Sequence, residues 1–155
     1  MWLFDTFAGM TAPTSLDKVT ASGELAQVEW NNSIRETHVD WCFASLDEVR
    51  NNFTVTNGSA KGVRFIKGDV MQTLLDEENI PRKISVLRLD TDWYESTLLE
   101  LQVLYDRVQP GGVVILDDYG YWDGARSAVD EFFLSRNLQP LVHVIDDSGR
   151  VFVKN

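Results

Sequence analysis

Four aspartates at the ends of two apolar segments are the residues in this sequence whose types and spacing best suit chemistry. They follow residues 84–89 and 113–116, and they are Asp90, Asp92, Asp117 and Asp118. Neighbouring parallel strands would bring these ends to one edge of a sheet, which is where open α/β sheets bind ligands. Four negative charges at one edge repel one another unless a cation or a proton intervenes. The pattern therefore predicts an acidic site that binds a cation.

The ligand atoms indicate which cation. Asp90, Asp117 and Asp118 offer hard oxygen ligands with no Cys or His in the same motifs, which favours Mg²⁺, Ca²⁺ or Mn²⁺ over zinc, with Mg²⁺ as the default. Asp92 is the candidate proton acceptor, because one acid can stay out of the coordination shell. The alternative is that these acids only cap helices or turns. Two pairs at one sheet edge favour the metal site.

Two other enzyme classes also place paired carboxylates at strand ends. Phosphatases with an aspartyl nucleophile have Thr or Val after the first motif and a lysine before the second. Here the corresponding residue is Trp93, and the basic residue between the motifs is Arg107. Glycosyltransferases use a D-x-D motif, but no upstream pattern here suggests a sugar-nucleotide site. Both remain weaker alternatives.

Composition limits the class of protein. The sequence has 155 residues, is 44% hydrophobic and carries a formal charge of −10. This size suits one domain with a real core, and the acidic balance argues against nucleic-acid or acidic-membrane partners. Cys42 is the single cysteine, and no apolar run approaches the roughly 20 residues that span a bilayer. The start lacks the basic region of a signal peptide. We therefore expect a reduced, cytoplasmic protein.

Hydrophobic patterning predicts the elements of the first half. A strand at Trp2–Phe4 runs into Asp5. Residues from about 10 to 44 show no regular hydrophobic spacing, which indicates a lid or loop insertion. Ser45 opens a capping box before a helix from Leu46 to about Phe53. A strand at residues 63–67 follows, and then a helix of about two turns around Leu74 that Pro81 terminates.

The second half alternates strands and helices. A strand at residues 84–89 precedes a helical face from Tyr94 to Val108, and Pro110-Gly111-Gly112 is expected to turn the chain into the strand at 113–116. Asp123 is the expected cap of the next helix, and residues 141–145 and 151–153 form a hairpin. This order predicts a single α/β domain over residues 1–155. We expect a mostly parallel sheet with helices on both faces and a C-terminal antiparallel hairpin.

Several stretches closely resemble the macrocin O-methyltransferase family. The longest are LRLDTDWYEST at residues 87–97 and PGGVVILDDYG at 110–120, and shorter ones are DTFAG at 5–9, GD at 68–69 and AVDEF at 128–132. The resemblance implies a Rossmann-like class I methyltransferase fold. It also implies that S-adenosylmethionine, with Mg²⁺ assistance, methylates a hydroxyl on a sugar or another small natural product.

The resemblance assigns roles by position. Asp90, Asp117 and Asp118 would be metal ligands and Asp92 the general base, in agreement with the charge argument. The cofactor-binding residues would be Asp5 on the ribose hydroxyls, Phe7 in the same motif, and Gly68 and Asp69 at the adenine.

One departure from the family is large. Its first strand and glycine-rich loop should precede Trp2, and this sequence contains neither. That strand lies at the centre of such sheets and its loop holds the cofactor. We therefore expect an N-terminally incomplete domain, which is either a fragment or truncated product, or a degenerate relative in which a partner chain or closure of the gap replaces the strand. The exposed sheet seam is expected to drive homo-oligomerisation. The alternative function is a non-catalytic, methyltransferase-like protein that keeps the metal site but does not bind the cofactor by itself.

Overall fold

A computed structural model describes the whole sequence, residues 1–155, as two compact units. The first unit comprises Met1–Ala12 and Glu29–Asn79, and the second comprises Pro13–Val28 and Ile80–Asn155. Each unit contains its own sheet, so the strands form two sheets and not the single sheet that the sequence analysis expected. The helices do not include one that is long and apolar enough to cross a membrane.

The first unit is built on two parallel strands. They are β1 (Trp2–Asp5) and β2 (Arg64–Lys67), and their register pairs Asp5 with Lys67. Helix α2 (Leu46–Asn57) lies between them in the chain, and helix α3 (Val70–Thr73) and a 3-10 turn (Glu77–Asn79) follow β2. The two strands therefore present their carboxyl ends on the same side.

The second unit holds a four-stranded sheet in the order β3-β4-β6-β5. Its strands are β3 (Ile84–Leu89), β4 (Val108–Leu116), β5 (His143–Val144) and β6 (Arg150–Val153). β3 and β4 are parallel, whereas β6 pairs antiparallel with both β4 and β5. The predicted parallel pair and the predicted C-terminal hairpin are both present. β1 pairs with β2 alone and β3 with β4 alone, so each has one neighbour.

Two helices pack against each other in the second unit. They are α4 (Tyr94–Leu104), which continues into a 3-10 turn at Tyr105–Arg107, and α5 (Asp123–Ser135). Aromatic rings fill the core beside them in edge-on contacts at 5.1 to 6.3 Å, from Tyr105, Phe132, Phe133 and Phe152. Such offset ring pairs add to the stabilisation from burial alone. Phe152 belongs to β6, so this core joins the two helices to the sheet.

Sequence rules placed the start of α2 correctly but not its end or the next helix. Ser45 Oγ accepts from the Glu48 backbone N–H at 3.3 Å, as the capping box predicts, and the helix continues to Asn57, beyond the expected Phe53. Gly58 ends it at φ 71°, a conformation that glycine adopts without a steric penalty. The predicted two-turn helix around Leu74 is wrong, because α3 is capped by Asp69 and ends at Thr73.

Three further local expectations differ from the structure. The expected turn at Pro110-Gly111-Gly112 lies inside β4, where the register of β3 and β4 shifts between Ile84 and Val86. Asp123 is the first residue of α5 and not its cap, because its carboxylate accepts from Thr20 Oγ1 at 2.8 Å. The segment expected to be a lid contains helix α1 (Ala26–Ser33).

Candidate functional site

Parallel pairing of β3 and β4 brings three of the predicted aspartates together. Leu89 lies beside Leu116 at the strand ends, and the Asp117 backbone N–H donates to the Leu89 carbonyl at 3.0 Å. Carboxylate oxygens of Asp90, Asp117 and Asp118 then lie within 4.8 Å of one another. Three hard oxygen donors at that spacing can converge on one divalent cation.

An arginine from β3 lies against two of these carboxylates. The Arg88 guanidinium contacts Asp90 Oδ2 at 3.0 Å and Asp117 Oδ1 at 2.8 Å. It therefore offsets part of the negative charge of the cluster. All three side chains are substantially exposed, so solvent screens these ion pairs and they add little to stability.

Asp118 is the least well compensated member of the cluster. Its Oδ2 atom is buried and has no hydrogen-bond partner. Burial, and then repulsion from Asp92, Asp90 and Asp117, raises its pKa from 3.8 to about 8. A buried, unpaired carboxylate oxygen is costly unless a cation or proton reaches it. The donor set and this orphaned oxygen both fit a bound divalent cation.

Asp92 lies outside that trio, in a tight turn between β3 and α4. Its φ is 67°, and the Trp93 backbone N–H donates to the Thr91 carbonyl at 2.7 Å, which closes a three-residue turn. The Trp122 indole Nε1–H donates to Asp92 Oδ2 at 3.1 Å. Burial raises the pKa of Asp92 from 3.8 to about 6, and the hydrogen bond from Trp122 opposes that rise. The turn and the indole together orient this carboxylate.

A buried acid that the sequence analysis missed caps α4 from a distant segment. Asp17 is fully buried, and its Oδ1 accepts from the Tyr94 backbone N–H at 2.8 Å, while Thr14 donates twice to Oδ2. Trp93 is the N-cap residue but offers no side-chain cap, so the distant carboxylate supplies the missing acceptor. A Cβ on Gly124 would lie 2.0 Å from Asp17 Oδ1. The first turn of α5 therefore lies so close to Asp17 that only glycine fits at position 124.

A second missed acid, Glu100, lies on the buried face of α4. Its Oε2 accepts from Thr91 Oγ1 at 3.0 Å. The sequence carries a signal for this acid in its spacing. Four residues at intervals of three, one and three positions are all buried in the structure, and they are Thr97, Glu100, Leu101 and Leu104. That spacing defines one helical face. The face predicted from Tyr94 to Val108 is a neighbouring one and does not include this acid.

The four predicted cofactor-binding residues lie at the carboxyl ends of β1 and β2. Asp5 ends β1, and its Oδ1 accepts from the Phe7 backbone N–H. The Gly68 backbone N–H donates to the Asp5 carbonyl at 2.9 Å. Asp69 Oδ1 accepts from the Met71 backbone N–H at 2.9 Å and so caps α3. The structure brings these residues together, and their role in cofactor binding stays a prediction.

The comparisons with known proteins give a consistent result. The family model for macrocin O-methyltransferase (TylF) matches residues 1–154. One relative, from Streptomyces olivaceus, is 32% identical over 149 residues, which are 96% of this chain and 52% of that protein. It is named 8-demethyl-8-(2,3-dimethoxy-alpha-L-rhamnosyl)-tetracenomycin-C 4'-O-methyltransferase. Demethyldecarbamoylnovobiocin O-methyltransferase of Streptomyces niveus is 32% identical over 150 residues, 96% of this chain and 53% of that protein.

Solved structures show the same fold. The O-methyltransferase NovP has a TM-score of 0.76 and 29% identity, covering 99% of this chain and 59% of that chain. The calicheamicin methyltransferase CalS11 has a TM-score of 0.71 at 16% identity and covers 98% of this chain and 59% of that one. The chain thus has the Rossmann-like class I methyltransferase fold and spans about half the length of the curated relatives it matches. It belongs to the macrocin O-methyltransferase family.

Proposed function

We propose that this chain carries the acceptor-activating part of a Mg²⁺-assisted O-methyltransferase. S-adenosylmethionine is the methyl donor, and the acceptor is a hydroxyl of a sugar or another small natural product. The observation that carries the proposal is the convergence of Asp90, Asp117 and Asp118 oxygens within 4.8 Å in a chain of this family. The names of relatives that methylate glycosylated compounds support this acceptor class.

The residues divide the chemistry between them. Asp90, Asp117 and Asp118 would hold Mg²⁺, which when bound supplies the positive charge that lowers the pKa of an acceptor hydroxyl. Asp92 is assigned as the general base. Trp122 holds its Oδ2 at 3.1 Å, and Oδ1 is the oxygen we assign to receive the hydroxyl proton. S-adenosylmethionine, when bound, would supply the methyl group. The acceptor oxygen's lone pair would form the new O–C bond in line as the C–S bond breaks, and S-adenosylhomocysteine would leave.

Asp5, Phe7, Gly68 and Asp69 are the residues we assign to the methyl donor. Asp5 would accept hydrogen bonds from the ribose hydroxyls, and Gly68 and Asp69 would lie at the adenine. Their position at the carboxyl ends of two parallel strands supports this assignment, because α/β sheets bind nucleotides at that edge.

A methyl-transfer assay tests the proposed function. The chain is incubated with S-adenosylmethionine labelled in its methyl group, Mg²⁺ and a panel of glycosylated acceptors. Asp92→Asn is expected to lower kcat by about 100- to 10,000-fold, because general-base catalysis is worth that much. The exposed Asp47 in the first turn of α2 provides the matched control, Asp47→Asn, which should leave the rate unchanged. An Asp92→Asn rate equal to that of the wild type would refute the assigned base.

The second candidate function is a non-catalytic protein that keeps the metal site. It is favoured by the single pairing of β1, which leaves the edge of the Asp5 strand without a second neighbour. Calorimetry with S-adenosylmethionine separates the two candidates. Binding in the micromolar range by this chain alone excludes the non-catalytic candidate, whereas Mg²⁺ binding without cofactor binding supports it.

A further inference from the structure

Glu100 is a buried acid with no part in the proposed chemistry. It lies on α4, is 5% exposed, and has the buried Thr97, Leu101 and Leu104 as its neighbours on the same helical face. A carboxyl group in such surroundings is costly unless it is hydrogen-bonded. The hydrogen-bond partner of Glu100 therefore indicates which part of the fold this side chain stabilises.

That hydrogen bond leads to the turn that carries Asp92. Thr91 Oγ1 donates to Glu100 Oε2 at 3.0 Å. The Thr91 carbonyl accepts from Ser96 Oγ at 3.2 Å and from the Trp93 backbone N–H at 2.7 Å. Thr91 is thus fixed through both its hydroxyl and its carbonyl, and two of its three partners are side chains of α4.

Fixing Thr91 constrains the residue that follows it. Asp92 has φ 67°, a left-handed conformation that is uncommon outside glycine, although aspartate adopts it more readily than most residues with a Cβ atom. Such a conformation persists where the surrounding contacts over-determine it. The contacts that fix Thr91 on one side of Asp92, and the Trp122 indole bonded to its carboxylate, meet that requirement.

We propose that Glu100 is a positioning residue, which holds the 91–93 turn through Thr91 and so keeps the Asp92 carboxylate directed at Trp122 and the acceptor oxygen. The catalytic consequence rests on the proposed function of Asp92. The structural consequence does not, because the contact between Trp122 and Asp92 can be measured without turnover.

The protonation state of Glu100 suits this role. Burial raises its pKa from 4.5 to about 8, the hydrogen bond from Thr91 opposes that rise, and Asp90 and Asp92 add to it. At neutral pH the group is therefore an uncharged carboxyl that accepts from Thr91 without adding a further negative charge beside the acidic cluster. A glutamine keeps the same acceptor oxygen, whereas a leucine removes it.

The test compares Glu100→Gln and Glu100→Leu by NMR. The indole N–H resonances of the five tryptophans are recorded, and Trp122→Phe identifies the one that contacts Asp92. Glu100→Leu is expected to move the Trp122 indole resonance away from its hydrogen-bonded position. It should also speed exchange of the Trp93 backbone N–H at least about tenfold. Glu100→Gln should leave both values as in the wild type. Glu95, exposed in the first turn of the same helix, provides the matched controls Glu95→Gln and Glu95→Leu.

Turnover supplies the second measurement. Glu100→Leu is expected to lower kcat by about 100-fold with KM for S-adenosylmethionine nearly unchanged, because displacing a catalytic group by about 1 Å has that effect. Glu100→Gln should restore the rate. If the wild type transfers no methyl group, the proposed function fails while the NMR comparison still decides the positioning role.

Thr91→Val keeps the test decisive if Glu100→Leu does not fold. It removes the donor hydroxyl from the other side of the contact and is expected to shift the Trp122 indole resonance in the same direction. A folded Glu100→Leu or Thr91→Val chain with unchanged Trp122 and Trp93 signals would overturn the proposal. So would a Glu100→Gln chain that behaves like Glu100→Leu.

Discussion

Replacing Glu100 by glutamine is expected to remove a large pH dependence from the stability of this protein. The pKa of Glu100 rises from 4.5 to about 8 on folding because burial disfavours the charged form. Between these two values the folded state binds more protons than the unfolded state, so stability falls as pH rises. The favourable contribution is fully present below about pH 4.5 and is lost as pH rises through about 8. Glutamine does not titrate and lacks this dependence.

The size of the effect follows from the two pKa values. They differ by about 3.5, and each tenfold change in proton affinity corresponds to about 1.4 kcal/mol, so the full effect is on the order of 5 kcal/mol. The part that falls between pH 5 and pH 8 is about 3 kcal/mol. That change is a large fraction of the 5–15 kcal/mol that typically stabilises a domain.

Urea unfolding followed by tryptophan fluorescence measures this difference. Wild type and Glu100→Gln are compared at pH 5, 6, 7 and 8 with EDTA present, so that metal binding does not contribute. The advantage of Glu100→Gln is expected to grow by about 3 kcal/mol from pH 5 to pH 8, while Glu95→Gln on the same helix stays parallel to the wild type. A difference between Glu100→Gln and wild type that is the same at every pH would refute the reasoning.

Three other predictions concern Asp17, Arg88 and the singly paired strands. Asp17→Ala removes the acceptor for the Tyr94 backbone N–H and for Thr14. It is expected to lower the free energy of unfolding by roughly 2–4 kcal/mol, and a loss below about 0.5 kcal/mol, measured with urea, would contradict the cap. Arg88→Met removes the cation that contacts Asp90 and Asp117 and should tighten Mg²⁺ binding in a calorimetric titration, with weaker binding as the contrary result. The singly paired strands β1 and β3 are expected to drive association, so light scattering should show a mass that grows with concentration, and a strictly monomeric species would refute this.

The acidic cluster was predictable because it depends on local rules. Each pair of aspartates follows an apolar run, and parallel pairing of consecutive strands brings the run ends together. In the structure the converging carboxylates are those of Asp90, Asp117 and Asp118, and Asp92 lies in the turn before α4. Which of these residues binds a metal or accepts a proton stays a prediction.

The supporting contacts were not predictable because they join distant residues. Asp17 caps α4 across 77 positions, and Thr20 engages Asp123 across 103, so local capping rules gave the wrong partner for Asp123. The Pro110-Gly111-Gly112 segment suggested a turn, but the Gly111 backbone N–H donates to the Lys154 carbonyl at 2.7 Å and the segment stays in the strand. Tertiary contacts overrode the local signal in each case.

Calorimetric titration with Mg²⁺ tests the central claim most directly. It compares the wild type, Asp117→Ala and the control Asp47→Asn, which removes an exposed carboxylate in the first turn of α2. If Asp90, Asp117 and Asp118 hold the metal, the wild type and Asp47→Asn bind Mg²⁺ with the same affinity and Asp117→Ala loses that binding. If all three chains titrate alike, with or without measurable heat, the acidic cluster is not a metal site.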